Sequence, residues 1–505
     1  MTSLNTSVST SRSPTNSAAD DPSARLRWGV YLLLIALGTG SVLGRILSVN
    51  SVDYVRLETH LEREFKAGKR GNDWQKQRPF LSANDRSRWC TIRSLVEHGT
   101  YAIDDIVSQP NWDTIDMVKH DELGNESPEP GQGHLYSSKP PLFSTLLAGE
   151  YWLIHKATGE TLGTHPYAIG RFMLVTVNLV PLMIYFVILA KLVERLGTTD
   201  WGRIFAMSCA TLGTFLTTFA VTLNNHLPAA VTAALTIYAA LRIVADGDRR
   251  PRYFVAAGFF GAFTAANELP ALAFFALVTL WLLWKAPRLT LLAYAPAALV
   301  VGAAAMGTNY ASHHSWRPPY AHRSDGDNWY AFKYVRDGKV RESYWSDPKA
   351  RSPIDQGEPS RATYALHALV GHHGIFSLTP VWLLSVAGLA MLCASRDSAR
   401  RELGALIAAA SLVCMAFYFS RGQIDRNYGG MTSGFRWVFW FAPLWVVGLL
   451  PVADRMASKW WLQVLAAILL GLSVMSAAFP TWNPWIQPWL LDFLTHLNWV
   501  RLGGQ

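Results

Sequence analysis

Eleven apolar stretches divide this chain, and the connections between them alternate in charge. Basic clusters fill every second gap: Arg25 and Arg27, Lys191 to Arg203, Arg242 to Arg252, Lys285 to Arg288, Arg396 to Arg401, and Arg455 to Lys459. Short connections rich in Lys and Arg stay on the cytoplasmic side of a membrane, so the remaining gaps face outward. Those hold Asn84-Asp85, Ser138-Lys139-Pro140-Pro141, Asn224-Asn225-His226, Asn267-Glu268, His372-His373 and the Arg421 to Arg436 loop. The groups able to do chemistry therefore share one membrane face, which points to a multi-pass membrane enzyme.

A hydrocarbon core takes roughly 20 residues of helix to cross. The spans read from the sequence are 28–48, 167–190, 201–220, 228–244, 253–266, 269–284, 289–308, 375–394, 403–419, 436–452 and 461–479. Tyr253 to Trp284 would be about 48 Å long as one helix, too much for one upright span, and both its flanks are basic. Two short helices turning at Asn267-Glu268 keep those flanks on one side. Pro141 to Ile154 is apolar but short and contains Glu150, and a span there would invert every later loop. Its Leu142, Phe143, Leu146, Leu147, Tyr151 and Ile154 are spaced for one helix face, so it reads as a helix lying on the outer surface. Arg86 to His98, with Trp89, Ile92, Leu95 and Val96, reads as a second one.

Composition agrees with the spans. The 505 residues are 50% hydrophobic and 16% charged, too apolar for a soluble chain of this length. The net charge of +9 follows the short basic loops rather than forming one patch, so nucleic acid is not an expected partner. Cys90, Cys209, Cys393 and Cys414 have no metal-site spacing and imply no disulfide framework. The organisation expected is a disordered cytoplasmic tail at 1–24, a transmembrane core at 25–308 that includes a first outer loop at 49–166, a second outer loop at 309–374, further transmembrane helices at 375–479, and a Trp-rich interfacial tail at 480–505. In that tail Trp482, Trp485, Trp489 and Trp499 fit a structural anchor at the interface.

The run from Asn84-Asp85-Arg86 to Gly99-Thr100-Tyr101 resembles the acidic first-loop motif of GT-C superfamily glycosyltransferases, which include protein O-mannosyltransferases and lipid A aminoarabinose transferases. Tyr136-Ser137-Ser138-Lys139-Pro140-Pro141-Leu142, followed by His165-Pro166 and Arg171, is similar to the second motif of that loop. The resemblance covers the N-terminal half to about Trp284 and the rest by topology alone. It implies a GT-C type helical bundle, an all-α polytopic membrane protein with roughly eleven transmembrane helices and a long first outer loop carrying two surface helices. It also implies an inverting transferase that moves a sugar from a polyprenyl-phosphate donor to a lipid, glycan or protein acceptor at the outer face of the cytoplasmic (inner) membrane. Asp85 takes the place of the base on the acceptor, and Lys139 that of the cation on the lipid phosphate. Asn84 and Arg86 flank Asp85 where many members pair acidic residues, and Ser138 stands where an acid often precedes the lysine. A divalent metal is therefore left open, and no other cofactor is called for.

Further candidates come from the residues themselves. Glu268 between apolar runs needs a polar cavity or a cation, since a charge at mid-membrane costs about 2.5–3.5 kcal/mol. His226 is the member of its motif expected to reach the site, and His372 or His373 is a candidate for metal or phosphate. Arg421, Arg426 and Arg436 break the charge rule for an outer loop and, with Gly429-Gly430, suit a phosphate or pyrophosphate. The plainer alternatives are that Asp85 caps a helix, that Lys139 and the arginines rest on lipid headgroups, and that Asn224 to His226 is a turn. A transporter or flippase of a lipid-linked substrate is the rival function. Such proteins usually place ionisable groups at the midplane among inverted repeats, and none is evident here.

Overall fold

The computed structural model describes residues 22–48, 63–69, 80–324 and 327–500. The tail read at 1–24 lies outside these except for its last three residues, which form the first turn of helix α1 (Pro22–Ser48). The principal helices that follow are α2 (Ala83–Glu97), α3 (Pro141–Thr158), α4 (Pro166–Leu196), α5 (Asp200–Leu212), α6 (His226–Val244), α7 (Pro251–Asn267), α8 (Leu269–Lys285) and α9 (Pro287–His313). After the second outer loop come α10 (Arg361–Leu369), α11 (Trp382–Cys393), α12 (Ser398–Ser420), α13 (Arg436–Met456), α14 (Trp460–Ala478) and α15 (Trp489–His496). Seven of them, α1, α4, α6, α9, α12, α13 and α14, are long and apolar enough to cross a membrane, and α8 and α11 are shorter apolar helices. The chain is a multi-pass, mostly helical membrane protein.

Local chemistry sets the boundaries. Ser82 caps α2 by accepting the Asp85 amide, Thr199 caps α5, and Asp397 caps α12. Proline opens α3, α4, α7 and α9, where its missing N–H costs nothing. The chain between α7 and α8 turns at Glu268, which is extended and precedes a short turn through Pro270. Central to the bundle is α6, 78% of whose apolar window is buried. The outer helices instead expose Leu32, Leu33 and Leu37 on α1, Leu291, Leu292 and Leu299 on α9, and Leu412 and Val413 on α12. Apolar surface of that extent implies a lipid solvent.

The basic ends are tied together. Arg27 of α1 lies 3.0 Å from Glu194 of α4 and 2.6 Å from Asp200 of α5, Arg242 of α6 pairs with Asp246 at 2.6 Å, and Lys285 of α8 meets Glu402 of α12 at 2.7 Å. At the other end the two outer loops form one cap. Strands β1 (Met117–His120) and β2 (His134–Ser137) pair antiparallel in the first loop. The second loop docks on them: the Lys119 amide donates to the Trp329 carbonyl, and Trp345 Nε1 donates to the Ile115 carbonyl at 2.9 Å.

Of the two surface helices expected in the first loop, α3 fits in part. Leu142, Leu147 and Tyr151 are buried, while Leu146, Trp152 and Leu153 are exposed. α2 does not fit, because Asp85 through Ser94 are buried on every side. Its polar residues, Arg86, Ser87, Arg88, Thr91 and Arg93, face protein rather than water, so an amphipathic reading of its apolar positions alone misplaces it.

α11 and α13 cross so closely that a Cβ on Gly388 would meet the Gly448 carbonyl at 2.0 Å, whereas Gly302 on α9 has open space around it. Gly388→Leu should therefore lower the unfolding midpoint of the detergent-solubilised protein, by an amount corresponding to about 1–3 kcal/mol of overpacking. Gly302→Ala should leave the midpoint unchanged or raise it slightly.

Candidate active site

Between the cap and the bundle lies a cavity of about 740 Å³. Its walls come from α2, the ends of the β1–β2 hairpin, the start of α6, the α7–α8 turn, α9 and the loop entering α13. The hairpin register decides its chemical centre. Met117 sits opposite Ser137, so Asp116 and the Ser138-Lys139 step leave the ladder side by side. Lys139 Nζ lies 3.0 Å from Asp116 Oδ1. The Asp116 backbone carbonyl accepts from the Ser87 hydroxyl at 2.5 Å and from the Ser138 amide at 3.1 Å, which pins it to α2.

Electrostatics in this corner are set by exclusion of water. Burial pushes the Lys139 ammonium down to about 8, against the pull of Asp116, and Arg88 and Arg436 push in the same direction as burial. Burial by itself would raise the Asp116 carboxyl, but Lys139, Arg436 and Arg88 outweigh it and hold the group below its usual range.

A hydrogen-bonded chain runs from this corner around the cavity. Arg88 donates to Asn84 Oδ1 at 2.7 Å and to Asn225 Oδ1 at 2.6 Å. Asn225 Nδ2 donates to Glu268 Oε1 at 2.7 Å, and that oxygen also accepts from His226 Nδ1. Arg436 Nη1 donates to His226 Nε2 at 3.1 Å. A guanidinium can only donate, so His226 is a neutral ring with its proton on Nδ1. Arg436 is held further by the Gly429 carbonyl at 2.7 Å and by the Trp485 ring, 5.0 Å beneath its guanidinium. Gly429, at φ 103°, leaves room for this: a Cβ there would meet Arg436 Nε at 2.5 Å.

Several residues picked out from the sequence converge here. Lys139, His226, Glu268, Arg421 and Arg436 all line the cavity, although Arg421 is engaged by Asp425 at 2.5 Å. Asn224 has the plainer role of its motif, accepting the amides of His226 and Leu227 at the start of α6.

Others lie elsewhere. Asp85 does not line the cavity. Its Oδ1 accepts from Trp89 Nε1 at 2.8 Å and the Leu223 amide at 3.1 Å, and its Oδ2 from the Thr222 hydroxyl at 2.7 Å and the Leu81 amide at 3.3 Å. Four donors saturate the lone pairs of a carboxylate, so Asp85 bolts α2 to the chain entering α6 and has none left for a substrate. Arg426 turns to the Pro359 carbonyl at 2.8 Å. His372 and His373 contact each other, His367 and Tyr428 instead. Trp485, grouped with the interfacial anchors, is buried under Arg436 and donates to the Thr222 hydroxyl at 3.2 Å, whereas Trp482 and Trp499 are exposed.

Asp116, Arg88 and Asn84 complete the site. The signal for Asp116 was the short apolar run Met117-Val118 between polar residues, whose pairing with Leu135 to Ser137 brings an acid to the lysine from 23 positions away.

No protein-family model and no curated protein matches the chain. Among solved structures it is similar to the archaeal oligosaccharyltransferase AglB from Archaeoglobus fulgidus in complex with an inhibitory peptide and a dolichol-phosphate, with a TM-score of 0.43 at 11% identity over 92% of this chain and 57% of that one. It is also similar to the apo crystal structure of an Archaeoglobus fulgidus oligosaccharyltransferase, with a TM-score of 0.40 at 12% identity over 90% of this chain and 55% of that one. The chain thus spans a little over half the length of these proteins.

Amine-selective labelling across pH, read by mass spectrometry, should find Lys139 half-reactive near 8, well below an exposed lysine at about 10.4. In Asp116→Asn the midpoint should fall further, because the carboxylate that favours the charged ammonium is gone.

Proposed function

We propose that this protein is a membrane glycosyltransferase of the GT-C type, which moves a sugar from a polyprenyl-phosphate donor to an acceptor hydroxyl at the outer face of the cytoplasmic membrane. The observation that carries this reading is the Asp116–Lys139 pair, with Arg88 and Arg436 beside it, in a cavity whose other wall is apolar helix at Pro141, Leu142, Ala305, Met306 and Phe417. A cationic corner against an apolar wall matches a phosphate joined to a lipid tail. A carboxylate in the same corner supplies the remaining requirement of the reaction, a proton acceptor.

Lys139 and Arg436 hold the phosphate oxygens and stabilise the charge that builds as the glycosidic C–O bond to phosphate breaks. Asp116 takes the proton of the acceptor hydroxyl as its oxygen attacks the anomeric carbon from the opposite face, which gives inversion. With the donor bound, Lys139 is drawn to the phosphate and Asp116 loses its nearest cation. Its basicity rises, and the base is strengthened only when a donor is present. Glu268 and neutral His226 orient Arg436 and Asn225. The acceptor class, whether lipid, glycan or protein, is left open.

Transfer of a radiolabelled sugar from polyprenyl-phosphate donors in proteoliposomes tests the reading. Asp116→Asn should cut turnover by about 10²–10⁴-fold while donor binding persists. Lys139→Gln and Arg436→Gln should weaken donor binding and slow transfer together. Asp85→Asn should lower thermal stability, with turnover per folded molecule reduced far less than in Asp116→Asn. Full activity in Asp116→Asn would remove the assignment, and translocation of intact donor lipid without transfer would favour a flippase.

A further inference from the structure

Away from the cavity lining, a second polar cluster sits in the outer loop. Glu358 precedes α10, His367 lies within it, and His372 follows in the next turn. One ligand atom from each of the three falls within 4.8 Å of the others. The imidazoles of His367 and His372 stack with centroids 4.0 Å apart. Among the described residues no hydrogen bond joins the three. The Glu358 carboxylate accepts from the Tyr428 hydroxyl at 3.1 Å, and His367 Nδ1 is buried without a hydrogen-bond partner. His372 Nδ1 is 2.5 Å from His373 Nδ1, which leaves Nε2 as its free ring nitrogen.

Two imidazoles and a carboxylate brought together without a shared proton form a ligand set. We infer that Glu358, His367 and His372 form a binding site for one divalent transition ion of the zinc class. Two nitrogens and one oxygen suit zinc, whereas magnesium and calcium prefer all-oxygen shells. With bonds of about 2.0–2.2 Å, tetrahedral ligand atoms stand about 3.4 Å apart, so side-chain shifts of about 1 Å close the site. Water takes the fourth position.

The position of the cluster indicates what an ion does there. The Glu358 amide donates to the Arg426 carbonyl, Arg426 Nη2 donates to the Pro359 carbonyl at 2.8 Å, and Gly357 packs against the Gln423 backbone. The loop held in this way supplies Arg421, Asn427, Gly429 and Gly430 to the cavity wall. An ion on Glu358, His367 and His372 therefore stiffens the outer-loop segment to which that wall is hydrogen-bonded.

The test uses the full chain in nanodiscs, stripped with a chelator and titrated with Zn²⁺ or Co²⁺, and is read by metal analysis and spectroscopy rather than by transfer. The wild type should take up one ion, give visible Co²⁺ bands typical of four or five ligands, and unfold at a higher temperature with Zn²⁺ than without. Glu358→Gln, His367→Gln and His372→Gln should each weaken binding about tenfold or more, with loss of the Zn²⁺-dependent rise in midpoint. Should a histidine variant fail to fold, the wild-type stoichiometry and Glu358→Gln decide. No stoichiometric uptake by the wild type, or undiminished uptake in the folded variants, overturns the site.

Discussion

Charge held away from water at one end of the bundle is the constraint on which the site depends. Lys139, Arg88 and Arg436 converge on a corner where the facing carboxylates are Asp116, Glu268 and Asp355. Burying such groups without partners is costly, and nearly every hydrogen bond around the cavity answers that cost. Asn84 and Asn225 engage Arg88, Glu268 gathers Asn225 and His226, and His226 and Gly429 hold Arg436.

The same constraint explains the architecture around it. α2 is buried although its sequence is polar, because its arginines and serines are partners for the cavity and hairpin rather than for solvent. Asp85 saturates its oxygens to lock that helix to the chain before α6, and in doing so it fixes Arg88 at the right height to reach Asn225. At the opposite end, ion pairs such as Arg27–Glu194 and Lys285–Glu402 join neighbouring helix ends and hold the bundle that carries the site.

Within the outer cap the two outer loops are joined by backbone hydrogen bonds such as Lys119 to Trp329, and the second loop meets the α12–α13 connection through Arg426 and Pro359. An ion at Glu358, His367 and His372 would stiffen one side of the cap.

The sequence by itself determined the apolar helices, the gathering of basic gaps, the break at Glu268 and the choice of Lys139, His226, Glu268 and Arg436 as candidates, which line one cavity. Each of these is written in local pattern: helix length against bilayer thickness, charge in short loops, and the high cost of an unpaired acid between apolar runs. Only the tertiary structure decided which carboxylate stands beside Lys139. Asp85 and Asp116 are alike as residues, and the motif favoured Asp85. The β1–β2 register carries Asp116 to the lysine, while Thr222 and Leu223 fill the lone pairs of Asp85 from 137 and 138 positions away. The same holds for Trp485, taken from the interface to Arg436, and for His372, taken from the cavity to His367. Hydrogen-bond saturation and burial are properties of contacts distant in the chain, and no local pattern encodes them.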